Sequence, residues 1–340
     1  MRLLFFGFLV GCDGAATDTG GGDTDSGADP DAREPGHYFP NGAPWYTAVT
    51  DAKTDPNSEA IIAALQVAGW GSGPDKFQID TSLEVLQADA TTPRREFEAT
   101  GDFYSPDCEQ VAMPIPVDGN VEGEETYACF GDGDCHLLVA EADEGKLYEM
   151  WRADIPGEEF YGGCLAVWSM DEVYPADGRG DQCSSADAAG YPIAPLLFTA
   201  DEVAAGEIDH ALRFALPNES IRDGVFYHPA THATNAGGGG ADTLPYGARL
   251  RLSRDFDLSR LADPDAQVVA KALQTYGMVL ADGGNIPLMA ASDRRSTAKW
   301  DELFEDGTHA LFGIEPQDFE LLVLDGEEIP LTFECVRNGR

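Results

Sequence analysis

Between residues 190 and 293 the chain gathers side chains able to move protons and hold charge: His210, Arg213, His232, Arg249, Arg251, Tyr276 and Asp282. The stretch DHALRFAL (209–216) alternates and reads as a strand with His210, Leu212, Phe214 and Leu216 on one face. A histidine there is either a satisfied core residue or a general acid/base in a cleft. His228 and His232 bracket Pro229, which argues against a helix, so their spacing does not make the shared face of a helical zinc pair. His232 therefore reads as a single catalytic or ligand-binding group. Arg249 and Arg251 share one face of the alternating stretch 246–252. Two guanidinium groups in a dry core would be very costly, so that face is either an exposed polar face or a groove. In a groove they would act as forks for carboxylates, such as those of uronic acids. Tyr276 and Asp282 fall on one face of 276–282 at period two. The candidate catalytic groups are thus His210, His232, Tyr276 and Asp282, and the candidate substrate-binding groups are Arg213, Arg249 and Arg251.

The sequence calls for no cofactor. The nearest thing to a metal site is Asp132-Gly133-Asp134 between Cys129 and Cys135, which could offer two oxygens to calcium or be a solvated turn. It lacks the length and closing Glu of an EF-hand loop. No CxxC pair suggests zinc, and no Gly-rich phosphate loop or GxSxG elbow is present.

Charge narrows the partners. The chain holds 61 acidic and 21 basic residues, a formal net charge of −40, and only five of the basic residues are lysine. Such a charge repels phosphate backbones and excludes nucleic-acid binding. It also opposes adsorption to anionic lipid, so contact with a membrane would have to run through a lipid anchor. Against that background Arg213, Arg249 and Arg251 on neighbouring strands would form a local positive island.

The elements that must position these groups are mostly strands. Residues 136–152 read as a hairpin around a turn at 142–145, followed by strands at 165–170, 209–216, 246–252, 276–282, 318–324 and 331–336. Helices are few: 57–67 after Asp55-Pro56, a single turn at 201–205, and 265–275 after Asp263-Pro264. The expected fold is mainly β, a two-sheet sandwich or jelly roll with a few short helices. Seven cysteines are present. Cys12 has a separate role, argued next. The other six, Cys108, Cys129, Cys135, Cys164, Cys183 and Cys335, make an even set for up to three disulfides in an exported chain. Cys164–Cys183 is the expected first bridge. Two of Cys108, Cys129 and Cys135 pair with each other, and the third takes Cys335.

The N-terminus suggests where the chain resides. Arg2 precedes an apolar run, and Leu9-Val10-Gly11-Cys12 resembles the bacterial lipobox, whose cysteine is lipidated. The run is too short to span a bilayer and reads as a signal segment. The resulting division is a signal peptide at 1–11, an acidic Gly/Asp/Thr tether at 12–36, and one β-rich domain at 37–340. The tether has no large apolar residue. Its random-coil reach is on the order of 25–30 Å.

The domain itself resembles a largely uncharacterised family of secreted bacterial and fungal proteins often found with carbohydrate-binding modules. The matching words are AGYPI (189–193), GEIDHALRF (206–214), PATH (229–232), GARLRL (247–252) and YGMVLAD (276–282), with a weaker match at DPNSEAIIAAL (55–65). The chain departs from the family in carrying Thr231 where an Arg often precedes the His, and in its tetraglycine loop. The resemblance implies an extracellular carbohydrate context and assigns no activity. The expectation is an exported, lipid-anchored monomer, on the periplasmic or cell-surface side, that recognises an extracellular polysaccharide, an anionic one being the sharper form of that reading. As a lyase, by analogy with jelly-roll lyases, the arginines would neutralise a uronate while His232 or Tyr276 removed the C5 proton. A glycoside hydrolase, or a non-catalytic glycan- or protein-binding lipoprotein, is the alternative.

Overall fold

The computed structural model describes residues 29–131, 133–235 and 238–339. Cys12, the signal segment and residues 12–28 of the tether lie outside the described residues, as does Asp132. Residues 30 and 32 already bond to the domain, their carbonyls accepting the Gly42 and Asn41 amides at 2.9 and 2.8 Å.

In chain order, α1 (Ser58–Ala68) leads into β1 (Ile79–Leu83) and β2 (Val85–Ala88). Three short segments follow: β3 (Arg94–Arg95), β4 (Glu98–Ala99) and β5 (Met113–Pro114). The hairpin β6 (Leu137–Glu141) and β7 (Lys146–Trp151) precedes β8 (Tyr161–Gly162), β9 (Cys164–Ser169) and α2 (Ala200–Ala205). Next come β10 (Leu212–Leu216), β11 (Ile221–His228), β12 (Leu244–Tyr246), β13 (Arg249–Leu252) and α3 (Pro264–Thr275). The chain closes with β14 (Met278–Gly283), β15 (Leu288–Ala291), α4 (Trp300–Leu303), β16 (Phe319–Leu321) and β17 (Asp325–Pro330).

The helices follow local rules. The Asp55 carboxylate accepts the Asn57 amide at 2.7 Å ahead of α1, which buries Ile61, Ile62 and Leu65 on one stripe. Asp263 caps α3 with Pro264 in the first turn, and Val269, Ala270 and Leu273 face inward. Gly277, at φ 71°, then turns the chain directly into β14.

The fold is mainly β, as expected, but its strands are not divided between two sheets. Among the described residues they form a six-stranded sheet in the order β1-β15-β10-β14-β13-β16, a four-stranded sheet β2-β6-β7-β9, a three-stranded sheet β12-β11-β17 and two short pairs. The large sheet is mixed: β1 with β15 and β10 with β14 run parallel, and the other neighbours antiparallel. Parallel pairs require crossovers rather than hairpins, and the chain passes from β10 to its parallel partner β14 through β11, β12, β13 and α3. Every residue of β10 is buried, so both faces of that strand are covered.

Three differences from the sequence reading have physical causes. Residues 331–336 form no strand: Phe333 takes φ 60°, and the tail is held instead by the Cys183–Cys335 bridge and the Asn338 amide on the Arg179 carbonyl at 2.9 Å. Tyr276 belongs to the end of α3, as its C-cap, and not to β14. The disulfides are Cys108–Cys164, Cys129–Cys135 and Cys183–Cys335. Cys164 therefore pairs with Cys108 rather than Cys183, and Cys335 with Cys183 rather than a cysteine of the first half. The expected pair among Cys108, Cys129 and Cys135 is Cys129–Cys135. Pairing follows where loops meet in space, which sequence separation does not record.

Candidate functional site

Arg213 is the second residue of β10 and is 1% exposed. A buried guanidinium must be compensated. Its Nε donates to Asp187 Oδ1 at 2.9 Å, and its Nη2 lies 2.7 Å from both Asp187 Oδ1 and Asp282 Oδ2. Nη1 contacts the Met289 sulfur.

The sequence positions each partner by a specific device. Asp282 reaches Arg213 through a bulge. Phe214 pairs with Leu280, but Ala215 pairs with Asp282, so one residue of β14 is extra. Because side chains alternate, that slip moves Asp282 onto the face that Arg213 shares with Ala215. Asp187 comes from the loop after Cys183, and its Oδ2 accepts the Ala189 and Tyr191 amides at 3.2 and 3.3 Å. Gly190, at φ 81°, closes this loop where a Cβ would strike the Thr231 hydroxyl. Thr231 in turn donates to the Cys183 carbonyl at 2.8 Å and so braces this loop.

Two carboxylates on one guanidinium leave a net negative charge in a buried place. Burial holds both Asp187 and Asp282 above the usual carboxylate range against the pull of Arg213, with Asp282 adding to the rise at Asp187 and Asp134 to the rise at Asp282. Because they share one guanidinium, the two are expected to titrate as a pair.

Above this triplet lies a cleft of about 270 Å³. Asp187 and Asp282 line its floor, and Asp134 and His232 line its walls. Tyr104, Trp151 and Phe333 supply aromatic surface, Tyr104 and Phe333 being more than half exposed. The Trp151 indole donates to Asp134 Oδ1 at 2.9 Å, which fixes the ring at the rim. His232 Nδ1 donates to the Ala188 carbonyl at 3.0 Å, and burial pushes its pKa down. The neutral ring therefore keeps Nε2 as an acceptor.

The other candidates sit elsewhere. His210 donates from Nδ1 to the Ala211 carbonyl at 2.8 Å and lies 3.2 Å from Glu202 Oε1 through Nε2. Burial opposes its charge, but the Glu202 bond prevails and its pKa is raised. It precedes β10 and ties it to α2, as a satisfied core residue. Arg213, Val279 and Arg249 do form one cross-strand row, so the arginines share a sheet face, although β14 stands between β10 and β13 where neighbouring strands were expected. Each is held by its own set of partners, however, and Arg251 keeps a buried Nε without one. Arg251 Nη1 donates to the Val49, Thr50 and Ala52 carbonyls at 2.6, 2.9 and 3.0 Å, and its Nη2 to Glu320 at 2.6 Å. Arg249 Nε donates to the Tyr276 carbonyl at 2.7 Å. Tyr276 thus meets Arg249 through its main chain and does not reach the acidic cleft. Of the seven groups, only Arg213, His232 and Asp282 meet at one place. Asp134, considered for calcium, is part of that place through Trp151. Among the described residues no cluster of three metal-ligating side chains is found.

Sequence reasoning missed Asp187 and Glu149. Glu149 is fully buried on β7, accepts the Ile193 and Ala194 amides at 2.8 Å each, and is pushed up to about 7 by burial. A lone Asp in a turn and a lone Glu in a strand carry no sequence signal that separates them from surface residues in so acidic a chain. No family model, curated protein or solved structure matches the chain.

Removing Arg213 should leave two uncompensated buried carboxylates. Arg213→Met is expected to cost about 3–5 kcal/mol at pH 8. The cost should shrink as pH falls toward 5, because the carboxylates then take up protons and the raised-pKa pair loses its charge. Urea unfolding at both pH values checks this; a loss that is small and independent of pH would contradict the buried triplet.

Proposed function

We propose that the protein binds an uncharged extracellular polysaccharide in the cleft above Asp187 and Asp282. The observation that carries this is the pairing of exposed aromatic surface with carboxylates in one concave place. A sugar ring has apolar C–H faces that pack on rings such as Trp151, Tyr104 and Phe333, and hydroxyls that donate to carboxylates such as Asp134 and Asp282. The same carboxylates repel a uronate, and Arg213 and Arg251 are already engaged by internal acids. The lining therefore supports a neutral chain over the anionic one that the sequence suggested. Binding is favoured over cleavage because both floor carboxylates hold one guanidinium, whereas hydrolysis needs an acid and a base free to act on opposite sides of a bond.

Three disulfides suit an oxidising, extracellular environment. No helix among the described residues is long and apolar enough to cross a membrane. The lipobox-like LVGC and the resemblance to secreted proteins support an exported protein held by lipid on Cys12.

Affinity electrophoresis against neutral and uronate polysaccharides tests the ligand. Retention by a neutral polymer, weakened about tenfold by Trp151→Ala, is expected, since aromatic anchors dominate such contacts. Stronger retention by a uronate polymer would overturn the reading, and reducing ends released in the same incubation would move the site from binding to hydrolysis. For the anchor, Cys12→Ser should shift the protein from the membrane fraction to the soluble one; a variant that stays with membranes would refute lipidation.

A further inference from the structure

A second, larger cleft, of about 380 Å³, has the opposite chemistry. It is lined by Arg249, Tyr191, Trp45 and Lys53, with apolar walls that include Leu196 and Val279, and no acidic side chain lines it. That is unusual in a chain with 61 acidic residues.

Arg249 differs from Arg213 and Arg251 in having only main-chain partners. Beyond the Tyr276 carbonyl on Nε, Nη1 donates to the Pro44 carbonyl at 3.1 Å and Nη2 to the Thr47 carbonyl at 3.0 Å. Among the described residues it has no carboxylate partner. A guanidinium carries five N–H groups, so one remains free on each Nη nitrogen. Two more polar groups in the lining lack partners: the Tyr191 hydroxyl and the Trp45 indole N–H, in residues only 3% and 6% exposed. Buried donors are rarely left unmade without a reason.

We propose that this cleft binds a small monocarboxylic acid with an apolar body, its carboxylate received by Arg249 and the Tyr191 hydroxyl. The free N–H groups can donate to the oxygens of a carboxylate, and the aliphatic walls match a hydrocarbon or aromatic body. Burial without an acidic partner depresses the Arg249 pKa to about 10, a cost that a bound anion would relieve. Exposed Lys53 adds positive charge at the same cleft. The site is separate from the acidic cleft and stands without the polysaccharide reading.

The test is calorimetric titration of the purified chain with octanoate and 4-phenylbutyrate, each against its matched alcohol, with sulfate as an anion lacking an apolar body. Both acids, or the one whose shape fits, should bind about tenfold or more tighter than the alcohol, because a site built on donors rejects a ligand lacking the acceptor charge. Arg249→Gln should bring acid and alcohol to equal affinity. Arg249 also holds two loop carbonyls, so Tyr191→Phe serves as the second variant: its circular dichroism should be unchanged while acid affinity falls severalfold. Equal binding of acid and alcohol by the unmodified chain, binding of neither, sulfate binding as tightly as the acids, or acid affinity unchanged in both variants would each overturn the proposal.

Discussion

The structure is organised around the compensation of one buried cation. Arg213 stands in β10, every residue of which is buried, in a chain that is overwhelmingly acidic. Its charge can be tolerated there only if carboxylates reach it from other elements. Asp187 brings the loop after Cys183 onto the sheet, and Asp282 requires β14 to slip by one residue. The cleft exists because these two acids are drawn inward together. Its supports follow: the Cys183–Cys335 bridge and the Thr231 hydroxyl on the Cys183 carbonyl both brace the loop that carries Asp187.

The remaining sheet arginines show other solutions to the same problem. Arg251 gathers the turn at residues 49–52 through three carbonyls and adds one carboxylate. Arg249 uses carbonyls alone and keeps its charge unbalanced. A face that carries three aligned arginines thus holds an acidic cleft at one end and a cationic one elsewhere. Which ligand each place can take is decided by what already compensates its arginine, not by the arginine itself.

What could be read from the sequence was local. Both long helices followed from Asp-Pro starts and apolar stripes, and the 136–152 hairpin from alternation around a turn. The arginine row was legible too, because β13 keeps strict alternation. Non-local geometry was not. Alternation carried through 276–282 misplaces Asp282 by one face, since the bulge lies in the pairing of β14 with another strand. It also draws Tyr276 into a strand that Gly277 starts only after the helix ends. Asp187 was invisible because its role is created by a loop that lands 26 residues upstream of its partner. Disulfide partners failed for the same reason.

The most direct test of the account is a pH titration of the Asp187 and Asp282 side-chain carboxyl carbons by NMR in the folded chain. The buried triplet predicts a coupled titration with at least one step well above the ordinary aspartate value of about 3.9. Two independent steps near that ordinary value would mean that both carboxylates are hydrated, that Arg213 is not their buried partner, and that the cleft above them is not built as described.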